Sequence, residues 1–231
     1  MKTVAIIVAG GTGKRMGTEQ SKQYLELEHL PILVHTLRVF DKATAIHHIF
    51  VVVPRDDVDY VKDTIIAEHG LSKIKKIIPG GAERQDSVRN GLACVTDEDI
   101  VLIHDGVRPF VSEDLINECA IKAHAKGAVS LGVPAKDTIK SVDAESTVMM
   151  TYDRRTMWLT QTPQAFRKEI ITEAYRKAYA EGFIGTDDAS LVERTRIAVT
   201  MIYGAYDNIK ITTPDDIAIG EVILKKRESI L

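Results

Sequence analysis

Cysteine is nearly missing from this sequence: Cys94 and Cys119 stand alone, far apart and in no Cys-x-x-Cys arrangement. That excludes a disulfide-stapled scaffold and a thiolate zinc site, and makes a reducing cytosol the simplest compartment. An excess of either charge is missing too. Thirty Lys+Arg face thirty-three Asp+Glu, a formal charge of -3, whereas a general nucleic-acid binder carries a strong basic excess. Local basic clusters remain available to a small phosphorylated ligand. No long hydrophobic run opens the chain. The apolar stretch from Val4 to Ala9 is too short to span a bilayer, and a signal peptide needs a longer apolar region and a small-residue cleavage site. It reads as a buried first strand. No G-x-S-x-G nucleophile elbow occurs, and the seven histidines form no H-E-x-x-H or comparable metal spacing; the His47-His48 pair reads as half-buried structure.

What is present is ordinary for a globular protein with a sizeable core: 231 residues, 45% hydrophobic and 27% charged. There is no internal repeat, low-complexity tract or linker, so residues 1–231 read as one domain. Near-continuous apolar runs at Val4–Val8, Ile49–Val53, Ile74–Ile78, Ile100–His104 and Val129–Val133 suit parallel strands covered on both faces. Between them lie amphipathic stretches: one beginning at Pro31, one ending at Gly70, and one from a Ser112 cap to Gly127. Helices are also expected from about Lys168 to Glu181, after Thr186, and from Pro214, with a strand at Ile197–Tyr203. Strand and helix alternating in this way predict an α/β fold with a doubly wound sheet. The rhythm breaks after Pro134. "TIKSV" and "STVMMTYD" alternate well enough for an antiparallel hairpin, and a ribbon of that size has too little core to stand alone. Residues 135–156 therefore read as an arm packed on another chain.

The stretch "VAGGTGKRMG" at residues 8–17 carries the strongest chemical signal. A P-loop requires G-x-x-x-x-G-K-[ST]; its first glycine would fall on Val8 and its hydroxyl on Arg15. A Rossmann turn requires G-x-G-x-x-G/A; its third glycine would fall on Met16. Both spellings fail, but the physical content survives. Gly10, Gly11 and Gly13 let backbone N–H groups turn toward an anion without a Cβ in the way. Lys14, Arg15 and Lys22 add cations, each worth roughly 4 kcal/mol at ~4 Å from a unit charge at an effective dielectric near 20. Such a clamp suits a triphosphate, or charge developing on a phosphorus under attack. The plain alternative is a glycine-rich turn with solvated cations.

Further candidates are weaker singly. "LIHDGVRPF" puts Asp105 at the carboxyl end of a strand, where ligands bind in open α/β sheets and where a carboxylate suits a nucleotide-borne magnesium ion. Arg108 either binds phosphate or ties down the turn with a salt bridge. "PGGAERQDSV" is a second glycine-rich turn leading into a helix, with Arg84 and Ser87 beside close backbone approach; the plain reading is a strand-to-helix connection. Asp207 and Lys210 precede the last helix, and Arg154, Arg155, Thr186 and Asp187 complete the set.

Taken in order, "VAGGTGKRMGTEQSKQYLEL", "GGAERQDSVRNGL", "LIHDGVRPF", "VPAKDTIK", "DRRTMWLTQTPQAF", "TDDASLVE" and "DNIKITTPDDI" resemble the blocks of the 2-C-methyl-D-erythritol 4-phosphate cytidylyltransferase family, over residues 3 to about 220. The resemblance implies a Rossmann-like, mostly parallel sheet with a protruding β-hairpin arm. It implies attack of methylerythritol phosphate on the α-phosphorus of CTP, without a covalent enzyme intermediate, using Mg2+ or another divalent cation. It assigns Arg15 and Lys22 to the transition state, Ala9, Gly10, Gly11 and Gly13 to the CTP phosphates, and Asp105 to the metal. Gly81, Arg84 and Ser87 would border cytosine and ribose. Arg108, Thr138, Arg154, Thr162, Thr186, Asp207 and Lys210 match positions around the acceptor. In this family the arm exchanges between subunits, so a homodimer is expected, with Thr138 and Arg154 serving the neighbour's site. Two departures stand out: Ser21 replaces a proline frequent before the lysine, and Gly106 replaces alanine, which is expected to loosen the backbone beside Asp105. Ribitol-5-phosphate cytidylyltransferase, with the same chemistry, and a non-catalytic nucleotide sensor are the rival readings. No nucleic-acid or membrane partner is expected.

Overall fold

The computed structural model describes residues 1–11 and 21–229. Gly13, Lys14 and Arg15 of the opening loop lie outside the described residues. Among the described residues seven strands build the main sheet: β1 (Thr3–Val8), β4 (His48–Val53), β5 (Ile74–Pro79), β6 (Ile100–Asp105), β7 (Ala128–Pro134), β10 (Trp158–Arg167) and β11 (Thr200–Tyr203). Four short strands stand apart as two ladders, β2 (Glu26–Leu27) with β3 (Leu30–Pro31) and β8 (Lys140–Val142) with β9 (Val148–Thr151). The sheet order is β11-β7-β10-β6-β1-β4-β5. β10 is antiparallel to both its neighbours, and the other pairings are parallel.

Strand β1 shows why the sheet is covered on both sides. Val4, Ala5, Ile6 and Ile7 are all fully buried, and their side chains alternate between faces. Ala5 and Ile7 join Leu33, Leu37 and Phe40 of α1 (Ile32–Lys42) and Ile116 and Cys119 of α4 (Glu113–Lys126). Val4 and Ile6 join Val88 of α3 (Arg84–Leu92) and Ile171 and Tyr175 of α5 (Lys168–Ala180). A continuous apolar strand therefore feeds two cores, as the doubly wound reading requires. α2 (Val58–Tyr60) passes into a π-type stretch at Val61–Ile66, and the segment turns at Gly70, where φ is +61°.

Expected helix signals act as written. Ser112 Oγ accepts from the Leu115 N–H at 3.3 Å, and α4 stops at Gly127, with φ 92°. A capping box between Thr213 and Asp216 opens α7 (Pro214–Glu228), with Pro214 in its first turn. α6 (Asp188–Glu193) begins at an Asp187 cap, as expected after Thr186.

One central strand was not expected. β10, sequence WLTQTPQAFR, lies between β6 and β7 despite its polar residues and Pro163, which argue against a central position. Pro163 falls where the register with β7 shifts, between Thr160 and Gln164, so no regular ladder bond is lost there. Gln164 is fully buried but satisfied: it donates to Asp187 Oδ2 at 2.7 Å and Ser130 Oγ at 3.1 Å, and accepts from the Ala189 N–H at 2.9 Å. The predicted hairpin forms as β8 and β9, with Val142, Val148, Met149 and Met150 all exposed.

Candidate active site

The carboxyl ends of β1, β5 and β6 border a cleft of about 580 Å³. Ala9, Gly10 and Gly11 follow β1, and Gly81, Arg84 and Ser87 lie between β5 and the first turn of α3. Asp105 ends β6, Lys22 comes from the 3-10 turn Lys22–Tyr24, and Lys210 from the segment before α7; all nine line the cleft. A second cavity, about 560 Å³, lies at the opposite strand ends beside Met1, Asp99 and Lys168, away from the glycine-rich turns.

The electrostatic centre is Asp105. Arg84 Nε lies 3.1 Å from its Oδ1, while Lys210 Nζ and Arg108 Nε lie 2.9 and 3.5 Å from its Oδ2. Burial alone would raise the carboxyl's pKa, but Arg84, Lys210 and Arg108 outweigh it and hold Asp105 well below the usual carboxylate range. Arg84 also donates to Asp188 Oδ2 at 2.8 Å. Three cations against two carboxylates leave this cluster net positive, and Lys22 adds to it along the same cleft. A concave site of that sign attracts an anion.

Backbone and hydroxyl contacts fix these groups. The Asp105 N–H donates to Thr162 Oγ1 at 3.1 Å, and Arg108 Nη1 donates to the Asn208 carbonyl at 2.8 Å. His104, fully buried, stands 3.0 Å through Nε2 from the Arg108 carbonyl and packs against Phe40 at 4.7 Å between ring centroids, the rings tilted by 48°. Burial lowers its pKa to about 4, so at neutral pH the ring is uncharged and Nε2–H is the donor. Ser87 Oγ accepts from the Gly81 N–H at 3.1 Å and donates to the Glu83 carbonyl at 3.2 Å. It therefore shapes the second glycine-rich turn. Gly81 has no room for a side chain: a Cβ there would stand 2.2 Å from that of Asp86.

Both sequence departures are accommodated. Ser21 holds φ -62° and ψ 132°, a backbone that proline also adopts. Gly106 is not loose, contrary to expectation: its N–H donates to the Val8 carbonyl at 2.8 Å, and its carbonyl accepts from Thr36 Oγ1 at 2.9 Å. A Cβ at Gly106 would stand 2.9 Å from that of Ala9, so glycine here lets the ends of β1 and β6 approach.

The other acceptor-side candidates are dispersed. Arg108 and Thr162 sit behind Asp105 and do not line the cleft. Asp207 pairs with Arg227 of α7 at 2.8 Å. Thr186 is exposed beside α6. Thr138 and Arg154 are exposed on the arm, where Arg154 Nη1 donates to the Lys136 carbonyl at 2.6 Å. Sequence reasoning passed over Asp188. Its signal was the doubled acid of "TDDAS": Asp187 caps α6 by accepting from the Ser190 N–H, which leaves Asp188 free to turn inward.

Among the described residues no group of three or more His, Cys, Asp or Glu side chains is placed to hold a metal. Asp105 offers one carboxylate, with both oxygens already facing cations. That donor set fits a magnesium ion delivered on phosphates, which needs only one or two protein carboxylates, and does not form an all-protein cage.

The comparisons with known proteins meet this geometry. Residues 3–226 match the family model of 2-C-methyl-D-erythritol 4-phosphate cytidylyltransferase. The chain belongs to that family. A relative of that name from Syntrophus aciditrophicus is 50% identical over 98% of this chain and 97% of its own. Another from Geobacter metallireducens is 46% identical over 98% and 99%. Among solved structures, the 4-diphosphocytidyl-2C-methyl-D-erythritol synthase of Anaerococcus prevotii superposes with a TM-score of 0.86 at 35% identity, covering 97% of this chain and 96% of that one. The family's Rossmann-like sheet is thus the fold observed. Among the described residues no helix is long and apolar enough to cross a membrane.

Proposed function

We propose that this chain transfers the cytidylyl group of CTP to 2-C-methyl-D-erythritol 4-phosphate, giving the CDP-alcohol and pyrophosphate in isoprenoid precursor synthesis. The observation that carries the reading is family membership over residues 3–226 joined to a cleft in which glycine-rich turns and cations converge on Asp105.

A phosphate oxygen of the acceptor attacks the α-phosphorus of CTP; that O–P bond forms as the bond to the β-phosphate bridging oxygen breaks, and pyrophosphate leaves with the electron pair. The protein's contribution is placement and charge. Ala9, Gly10 and Gly11 offer close backbone approach to the phosphates. Gly81, Arg84 and Ser87 wall the side assigned to cytosine and ribose. Lys22 lines the cleft, and the resemblance assigns it, with Arg15, to the negative charge that develops in the transition state. Lys210 lines the cleft, and the resemblance assigns it to the acceptor together with Arg108 behind Asp105. Asp105 would hold the divalent ion carried by the triphosphate, which supplies charge neutralisation when bound.

The arm supports a homodimer. Its exposed valines and methionines have no core of their own, and Thr138 and Arg154 would then complete the neighbour's acceptor site together with Thr162, Thr186 and Asp207. The cytoplasm is the compartment proposed.

The test is pyrophosphate release with CTP and magnesium, run in parallel with methylerythritol 4-phosphate and ribitol 5-phosphate. Strong preference for the first is expected. Preference for ribitol phosphate would move the chain to polyol-phosphate chemistry, and CTP binding without turnover on either would leave a nucleotide sensor.

A further inference from the structure

We propose that Asp188 is a positioning residue for the nucleotidyl-transfer cleft: seated on Tyr175, it holds one end of the Arg84 guanidinium so that the other end stays on Asp105. The inference deepens the cytidylyltransferase reading and rests on it.

Asp188 is 1% exposed, and its two oxygens have different partners. Oδ1 accepts from the Tyr175 hydroxyl at 2.6 Å, and Oδ2 accepts from Arg84 Nη2 at 2.8 Å. Arg84 then reaches Asp105 Oδ1 through Nε at 3.1 Å. The line Tyr175–Asp188–Arg84–Asp105 runs from the buried face of α5 to the cleft wall. A guanidinium is a rigid planar fork. Fixed on one carboxylate it pivots; fixed on two by different nitrogens, it presents its remaining N–H groups in one plane. Arg84 lines the cleft, so that plane faces whatever nucleotide occupies it.

A plain helix-to-helix tie does not need Asp188. Gln85 already binds the segment before α6, donating to the Phe183 carbonyl at 3.1 Å and accepting from the Gly185 N–H at 2.9 Å. Asp86 accepts from the Tyr179 hydroxyl at 2.5 Å. Asp187, not Asp188, accepts the capping bond of α6. Of these anchors, only Asp188 has a partner that continues to Asp105.

The experiment compares wild type, Asp188→Asn and Tyr175→Phe by steady-state kinetics, by thermal unfolding, and by calorimetric CTP binding with magnesium and no acceptor. Asp188→Asn is expected to raise both KM and Kd for CTP about tenfold while changing kcat less than threefold. Tyr175→Phe keeps the ion pair and is expected to shift both constants about threefold in the same direction. A merely structural role would lower Tm and the active fraction, reducing kcat at unchanged KM and Kd, and that pattern overturns the proposal. Should Asp188→Asn fail to fold, unchanged constants in folded Tyr175→Phe overturn it equally. A wild type that binds CTP but releases no pyrophosphate refutes the cytidylyltransferase reading instead, and the binding constants still judge the positioning role.

Discussion

Lys210 Nζ lies 2.9 Å from Asp105 Oδ2 and, with Arg84 and Arg108, surrounds one buried carboxylate with three cations. The partners come from the start of α3, the turn after β6 and the segment before α7, so the carboxylate joins three parts of the chain at the cleft.

Asp105→Asn leaves those cations without their shared counter-ion. Removing one partner of a buried ion cluster costs about 3–5 kcal/mol, and urea unfolding at pH 7 is expected to show a loss of that order. Because the folded carboxyl titrates below the unfolded one, its contribution is complete at neutral pH and is lost only as pH falls through roughly 4 and below. The gap between wild type and variant should therefore be level from pH 7 to about 5 and narrow in stronger acid. A gap that widens on acidification would contradict the assignment.

His104 acts in the same direction as Asp105, losing stability on acidification, but over a higher pH range. Its folded pKa of about 4 lies below the ordinary imidazole value of about 6.5 because the ring is fully buried. Above 6.5 both states are neutral and nothing is lost; between 6.5 and 4 only the unfolded chain takes the proton, and stability falls by about 3 kcal/mol at most. Between pH 6.5 and 5, above most carboxylate titrations, unfolding free energy is expected to fall less steeply in His104→Gln than in wild type. Equal slopes would assign the titration to other groups.

Lys22 separates ground-state from transition-state binding. Lys22→Ala is expected to lower kcat by about 100-fold or more, the scale of losing one donor aimed at developing charge, with far less change in KM for CTP. A large rise in KM at near-normal kcat would make Lys22 a binder of the ground-state triphosphate.

The arm gives a test in mixed subunits. Arg154→Ala and Lys22→Ala chains, each inactive alone, should regain activity when mixed, because one site of each hybrid dimer is whole. Sedimentation should show dimers throughout. Absence of recovery after confirmed subunit exchange would place Arg154 in its own chain's site.

Much of this protein is legible in one dimension. Strand β1 is a continuous apolar run because it is buried on both faces, and that local composition announces a covered parallel sheet. Gly10 and Gly81 advertise close approach by their identity, and Ser112, Gly127 and Thr213-Pro214 mark helix ends through bonds spanning a few residues. β10 was illegible: Gln164 and Thr162 look like loop residues until Ser130, Asp187 and Asp105 supply partners from distant segments. Asp188 was hidden for the same reason. Apart from β10, local sequence determined which segments fold as strands, helices and glycine-rich turns, because those choices depend on neighbours in the chain. Only the tertiary structure decided which charges meet at Asp105 and Asp188, because a buried charge is tolerable only beside partners that the sheet order brings from far away.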